Sequence, residues 1–325
     1  MAFNPCGWVL HDGKAGMSSQ AVGLAESTGF AFVEKRLAIR FPWVCLPPVL
    51  WPAPLGAPGG AGDRLAPPWP DFVIACGRNA AMPALAIRRA SGGHVVTAQI
   101  QDPGIGRGEF DLSIVPEHDR LRGPRVVVTR GAVHRVTPGR LAVERSRFPR
   151  LAAMPRPILA VLIGGSNKAY RLTLRRVGEI AEAVGEILRE YGGSALVTPS
   201  RRTGAPGRAL LQERLSGLPA EIWDGAGENP YFAYLAVADA FLVTADSVSM
   251  VSEAAATGKP VHILDLDGGN AKFARFHQIM HSAGITRPFA GRIEEWSYEV
   301  PDDTARAGAA LRALVLSRLD QRERA

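Results

Sequence analysis

Three short stretches of this chain combine glycine, hydroxyl and cationic groups in the way that phosphate recognition requires. In Gly164-Gly165-Ser166-Asn167-Lys168-Ala169-Tyr170-Arg171, two glycines let backbone come close to a ligand, Ser166 and Asn167 add hydroxyl and amide donors, and Lys168 and Arg171 supply charge. Ser200-Arg201-Arg202 sets a hydroxyl beside two guanidiniums. Asp246-Ser247-Val248-Ser249 precedes or opens a run with helical spacing, where a first turn offers unpaired N–H groups and the positive end of the helix dipole. Such a junction is a natural seat for a diphosphate. Glu253, two turns further in, is a candidate acceptor for sugar or ribose hydroxyls, although a carboxylate on a helix can equally face solvent. Three anion-suited loops in one half of the chain are most economically read as one diphosphate site.

The other half carries candidate proton acceptors. His11 and Asp12 follow the first apolar run, Glu117-His118-Asp119 follows another, and Gln101-Asp102 a third. A histidine or carboxylate at such a place can take the proton of an attacking hydroxyl, and the same residues are also ordinary turn formers. Metal chemistry is not expected. His277 and His281 have the spacing of one helix face, but no acidic ligand accompanies them and H-E-x-x-H is missing; Asp265-Leu266-Asp267 is a pattern that any turn can contain. The P-loop signature, a strand-to-helix G-x-G-x-x-G and G-x-S-x-G are all absent, which argues against NAD, P-loop and nucleophilic-serine chemistry.

The elements that must position these residues alternate along the chain. Apolar runs at 7–10, 30–37, 71–76, 94–100, 110–115 and 125–129 read as strands, with helical spacing at 21–27, 80–90 and 137–148. Residues 149–157 hold three prolines and no pattern, and the domain boundary is expected there. Strands follow at 158–163, 194–198, 221–223, 240–244 and 261–264, and helices at 173–191, 207–216, 230–238, 248–256, 272–283 and 304–319. This alternation predicts two α/β domains with mainly parallel sheets, 1–150 and 151–302, with the helix at 303–320 free to pack back on the first. Ligands of such sheets bind beyond the carboxyl ends of the strands, where every loop named above lies. Residues 42–70 break the pattern with nine prolines and four glycines. The apolar part of that excursion, 41–51, suits packing against its own domain or contact with a membrane or a lipid-bearing substrate.

The bulk numbers agree with this reading. At 325 residues, 46% hydrophobic and 21% charged, the chain is long enough for two cores. The net charge of +7 is scattered arginine, suited to anionic ligands or an anionic membrane surface. No zinc-finger spacing, RNP-like strand or basic helix points to nucleic acid. Cys6, Cys45 and Cys76 have no paired or metal-ligand spacing, and there is no signal-peptide pattern or apolar run of membrane-spanning length, so a cytoplasmic protein is expected.

Taken together, the blocks WVLHDGKAGMSSQAVGLAE, ACGRNAAMPALAIRRASGG, FDLSIVPEHD, VLIGGSNKAYRLT, TPSRRT and ENPYFAYLAVADAFLVTADSVSMVSEAAATGKPV resemble the mitochondrial fission "elongated mitochondria" family of plants and its bacterial relatives. The likeness runs in order from Trp8 to about Pro288, and the Pro/Gly excursion at 52–70 departs from it. Members are similar to GT-B glycosyltransferases, which implies two Rossmann-like domains facing across a cleft. By position, the resemblance implies that Gly164, Gly165, Ser166 and Asn167 touch phosphate or sugar. It implies also that Asp246, Ser247, Val248 and Ser249 present a helix terminus to the diphosphate and that Glu253 binds ribose. The base would come from Asp12, with His11 or Glu117 next. The expected activity is metal-independent transfer of a sugar from a nucleotide-sugar donor, itself a substrate rather than a cofactor, to a glycan or lipid-linked acceptor of the cell envelope, with peripheral contact to an anionic membrane. The rivals are a non-catalytic nucleotide-binding scaffold and a nucleotide-sugar epimerase.

Overall fold

In the computed structural model, which describes residues 4–104 and 106–324, the first apolar runs form β1 (Cys6–His11), β2 (Ala31–Arg36), β3 (Phe72–Cys76), β4 (Val96–Ile100), β5 (Leu112–Pro116) and β6 (Val126–Thr129). All neighbours pair in parallel, in the order β2-β1-β3-β4-β5-β6. Val9 points into a core with Ile74 and Ala98, while Trp8 and Leu10 enter a second core with Val73 and Leu85, so the inner strands are buried on both faces and read as continuous apolar runs, whereas edge strand β2 is largely exposed. Helix α1 (Ala15–Thr28) fills the β1–β2 crossover and α2 (Arg78–Ala90) the β3–β4 crossover. The strand order reverses between β1 and β3. There α1 begins at Ala15, earlier than the spacing at 21–27 predicts. Glycine and two serines give its first turns weak propensity, and tertiary contacts supply the rest: Met17 lies against Cys76, and Gln20 accepts from Gln101.

The second unit opens with α3 (Pro138–Arg147) and α4 (Pro149–Ala152). Then follow β7 (Ile158–Ile163), β8 (Tyr170–Arg171), α5 (Leu174–Tyr191), β9 (Ser194–Pro199), α6 (Gly204–Arg214), β10 (Ala220–Ile222), α7 (Tyr231–Val237), β11 (Ala240–Thr244), α8 (Val248–Ala255), β12 (Val261–Leu264), β13 (Asp267–Gly268), α9 (Ala271–Ser282) and β14 (Thr286–Pro288). The main sheet is again parallel, ordered β10-β9-β7-β11-β12-β14, with the reversal between β7 and β11. A small antiparallel ladder of β8 and β13 ties the loop after β7 to the loop after β12.

Contacts divide the chain into Met1–Arg135 with Asp302–Ala325, and Val136–Pro301, whereas the proline-rich stretch at 149–157 suggests a later boundary. The reason lies in α3, whose Arg140 stacks 4.1 Å over Phe232 and whose Leu141 joins Val136 in the core around Phe241. The C-terminal helix α10 (Asp303–Arg324) belongs to the first unit. Ala307, Leu311 and Val315, spaced along one face, enter the core beside Leu24 and Phe30. Burying Leu311 and Val315 stabilises the docked helix by roughly 1.5–3 kcal/mol each. Asp303 accepts from the N–H groups of Arg130 (2.7 Å) and Gly131 (3.3 Å), and a Cβ on Gly308 would lie 2.1 Å from the Ser27 hydroxyl, so α1 and α10 meet at a glycine contact. In the excursion, Trp51, Ala57 and Leu65 are buried and Leu55, together with Ile39 before it, packs against the α2 side of the core.

Candidate functional site

In each sheet the place where strand order reverses is where a crevice forms beyond the strand ends. In the second unit that place is bounded by the loop after β7, beginning at Gly164, and by Ala245-Asp246-Ser247 between β11 and α8. The Ser247 hydroxyl caps α8 by accepting the Met250 N–H at 3.4 Å, which leaves the helix N-terminus and its positive dipole end at the crevice. Ser249 and Glu253 lie one turn apart on one face of α8. Glu253 is buried rather than solvated, and its carboxylate accepts the Tyr231 hydroxyl at 2.6 Å. Burial first, and the Glu253 charge second, push the Tyr231 phenol well above its ordinary range, so it remains a donor.

The glycine loop and Asp246 hold each other. Asp246, with its side chain fully out of solvent, accepts from the Gly165 N–H (3.0 Å), the Thr244 hydroxyl (2.7 Å) and the Arg202 guanidinium (2.7 Å). The Gly164 N–H goes to the Thr244 hydroxyl at 2.8 Å, and the Gly164 carbonyl takes hydrogen bonds from the hydroxyls of Ser200 and Thr203. The Gly165 carbonyl accepts from Arg202 at 2.8 Å. The sequence suggests that these glycines touch a phosphate. Instead, both N–H groups are occupied by protein, and the glycines matter because they lack a side chain: a Cβ on Gly164 would sit 2.3 Å from the Asp246 carboxylate, and one on Gly165 2.4 Å from the Arg202 backbone. Asp246, Ser200 and Arg202 are likewise directed at the loop rather than outward.

Asn167 closes a turn by accepting from the N–H groups of Ala169 and Tyr170, and its amide reaches the Asp246 carbonyl at 3.4 Å. Ser166 accepts the Leu172 N–H at 3.0 Å. Lys168, Arg171 and Arg201 are exposed on this rim, and Val248 and Ser249 form the first turn of α8. The direct anion contacts available here are therefore the helix terminus and exposed cationic side chains, with the glycine loop as their scaffold. Sequence reasoning passed over Thr244, Thr203 and Tyr231, which complete this network. A threonine at a strand end carries no signal of such a role, whereas the helix expected over 230–238 puts Tyr231 in a first turn.

In the first unit, the reversal point brings together His11, Asp12, Cys76, Gly77 and Gln101. The His11 ring is engaged on both sides: Nδ1 accepts the Gly13 N–H at 3.1 Å, so Nε2 carries the proton that faces Glu34 at 3.1 Å. It has no lone pair left for a substrate proton. Asp12 pairs with Lys14. Cys76 is buried, and burial first, with the Asp12 charge second, raises its thiol far above the ordinary range, which keeps it unreactive. Glu117 is exposed and follows β5, separated from β1 by β3 and β4, so at about 4.8 Å per strand it stands roughly 14 Å away from His11 and Asp12.

The two histidines weighed as metal ligands point elsewhere. His277 Nε2 donates to the Ala245 carbonyl at 2.8 Å, and His281 Nδ1 to the Thr286 carbonyl at 3.1 Å. Among the described residues no three His, Cys, Asp or Glu side chains converge. Burial, as the largest cause, lowers both His277 and His262 below the ordinary value of 6.5. The unfolded chain then binds more protons than the folded one below that value, so stability is full above about pH 6.5 and falls as acidification approaches the folded pKa. Thermal midpoints recorded between pH 7.5 and 5 should decline, and His277→Gln should flatten the decline; equal slopes in both proteins would exclude His277 as its source.

Two sheets of parallel strands in an α/β arrangement, each with its reversal point, are the fold of the GT-B proteins. The UDP-GlcNAc 2-epimerase of Methanocaldococcus jannaschii, solved with UDP-GlcNAc and UDP, superposes with a TM-score of 0.53 at 11% identity, covering 97% of this chain and 100% of that one. Arabidopsis thaliana UGT89C1 gives 0.51 at 11% identity over 98% of this chain and 95% of that one. Residues 15–315 match the Mitochondrial fission ELM1 family, and this chain belongs to that family. The Arabidopsis thaliana mitochondrial fission protein ELM1 is 34% identical over 277 residues, 77% of this chain; the chain spans 65% of that relative's length.

Proposed function

We propose that the second unit binds a nucleoside diphosphate sugar at the reversal point between β7 and β11, with the diphosphate on the N-terminus of α8 and the ribose hydroxyls on Glu253. The observation that carries this is the geometry of α8, which presents a capped positive terminus and, roughly 9 Å further along its axis at 1.5 Å per residue, a carboxylate held in place by a tyrosine. In the transfer reaction an acceptor hydroxyl of a glycan or lipid-linked sugar attacks the anomeric carbon, the bond to the diphosphate oxygen breaks, and the departing charge is met by the helix terminus and by Lys168, Arg171 or Arg201. The acceptor proton goes to a general base.

Uridine diphosphate is the first nucleotide to try, because the solved relative named above holds it. Replacing Glu253 by alanine should weaken UDP binding by about 10–100-fold, the loss expected for hydrogen bonds to a charged acceptor. Tyr231→Phe controls for the unpaired phenol that this change leaves. Titration calorimetry with UDP, GDP, ADP and CDP reads both the affinity and the choice of base, and an unchanged Glu253→Ala affinity would remove the ribose assignment. One observation favours a second reading. His11 is fully engaged and Asp12 is paired, so a nucleotide-binding scaffold without turnover also fits. Nucleotide bound but no sugar released or epimerised, whatever the acceptor, would select it.

A further inference from the structure

Among the described residues, eleven large hydrophobic side chains are exposed, and five of them fall within one run of ten: Phe41, Val44, Leu46, Val49 and Leu50. Phe41 is 77% and Leu50 61% exposed, so neither is in the core that the rest of the excursion joins. The run is a folded knob. Two single-turn 3-10 helices, Trp43–Cys45 and Pro48–Leu50, follow one another, and the buried Trp51 fastens both by donating its indole N–H towards the Trp43 (3.0 Å) and Leu46 (3.1 Å) carbonyls. Val44, Cys45, Leu46, Leu50 and Trp51 donate their N–H groups within the segment, and Pro42, Pro47 and Pro48 have none to satisfy. An apolar medium would therefore meet few unpaired backbone donors here, which removes much of the cost of taking such a segment out of water.

Within the knob segment the charge has one sign. From Lys35 to Gly62 the chain has no acidic residue, and Lys35, Arg36 and Arg40 precede the knob; the flanking acids are Glu34, which faces His11, and Asp63, which accepts the Arg36 N–H. Arg40 is exposed and lies 5.0 Å over the Trp43 ring. Apolar tips backed by cations match the layered chemistry of an anionic bilayer, hydrocarbon beneath negative headgroups. No helix among the described residues is long and apolar enough to cross a membrane, so any contact this segment makes is interfacial.

We infer that residues 41–50 are a docking surface for an anionic lipid bilayer. Phe41, Val44 and Leu50 enter the interface and Arg40 meets the headgroups. This assignment does not rest on the nucleotide-sugar reading, since it involves only the first unit.

The test uses the whole chain with vesicles of phosphatidylglycerol and phosphatidylcholine, and with phosphatidylcholine alone. Co-sedimentation should show binding to the anionic vesicles, weakened several-fold by raising the salt to 0.5 M. Phe41→Ser with Leu50→Ser should weaken it at least ten-fold, with an unchanged thermal midpoint because both side chains are exposed. Should that variant fold poorly, Cys45 gives an independent readout: it is exposed in the knob, while Cys76 is buried. A polarity-sensitive fluorophore attached there in a Cys6→Ser background should shift to the blue on adding anionic vesicles and stay constant with neutral ones. Vesicle binding that ignores the double substitution, or a Cys45 probe that never changes, would overturn the inference. So would sedimentation equilibrium showing a native dimer that the double variant converts to monomer, because the face would then belong to a second copy.

Discussion

An Asp246→Ala protein should unfold its second unit about 2–6 kcal/mol more readily than the native one, the sum of two buried donors left without an acceptor at roughly 1–3 kcal/mol each. Those donors are the Gly165 N–H and the Thr244 hydroxyl. The Arg202 contribution is small, since that side chain is 38% exposed and water can replace its partner. For a unit of this size the melting midpoint should fall by about 5–15 °C. Nucleotide affinity should drop as well, although Asp246 itself contacts no ligand on this reading, because the loop it holds forms one wall of the crevice. Asp246→Asn keeps the volume and one acceptor and should fall between. Differential scanning calorimetry separates the cases, and a native midpoint for Asp246→Ala would show that the loop is held by something else.

Gly165→Ala should be nearly as damaging, for a different reason. The added Cβ would lie 2.4 Å from the backbone carbon and 2.5 Å from the backbone oxygen of Arg202, atoms that cannot swing away as a side-chain tip can. The positive φ of 156° adds strain. Overpacking of this kind costs about 1–3 kcal/mol, and relief requires the loops after β7 and β9 to separate, carrying Asp246 and Arg202 out of register. Nucleotide binding should therefore fall by ten-fold or more while the far side of the sheet keeps its protection from hydrogen exchange. Wild-type affinity in a folded Gly165→Ala protein would sink the claim that this close approach shapes the site.

Elements whose pattern is local were legible in the sequence. The runs at 240–244 and 261–264 are strands to the residue, and Thr173 caps α5 as a threonine before a helical run should. What was not legible depends on distant partners. The strand Thr286–Pro288 is three residues long and ends in proline, and β8 and β13 are two residues each; nothing in their own composition favours extension, and they pair only because other loops pass beside them. The candidate site shows the same division. Glycine, serine and arginine could be recognised as the materials of an anion site. That Asp246 would turn its carboxylate inward, and that Gly164 and Gly165 would have their N–H groups taken, follows from the positions of Thr244 and Arg202 in space, which spacing along the chain does not reveal. Likewise His11 stands where a base belongs, but Glu34 and Gly13 claim its ring.

The docking of α10 on α1 has a bearing on how the protein is made. The first unit is written in two pieces, with all of residues 136–301 between them. As the ribosome emits the chain, the second unit has its full complement of strands while the sheet of the first unit, made before it, still lacks the helix bearing Ala307, Leu311 and Val315. Completion of the two units is thus inverted relative to their order in the chain, and the apolar flank of α1 waits uncovered until residues 303–324 have been made.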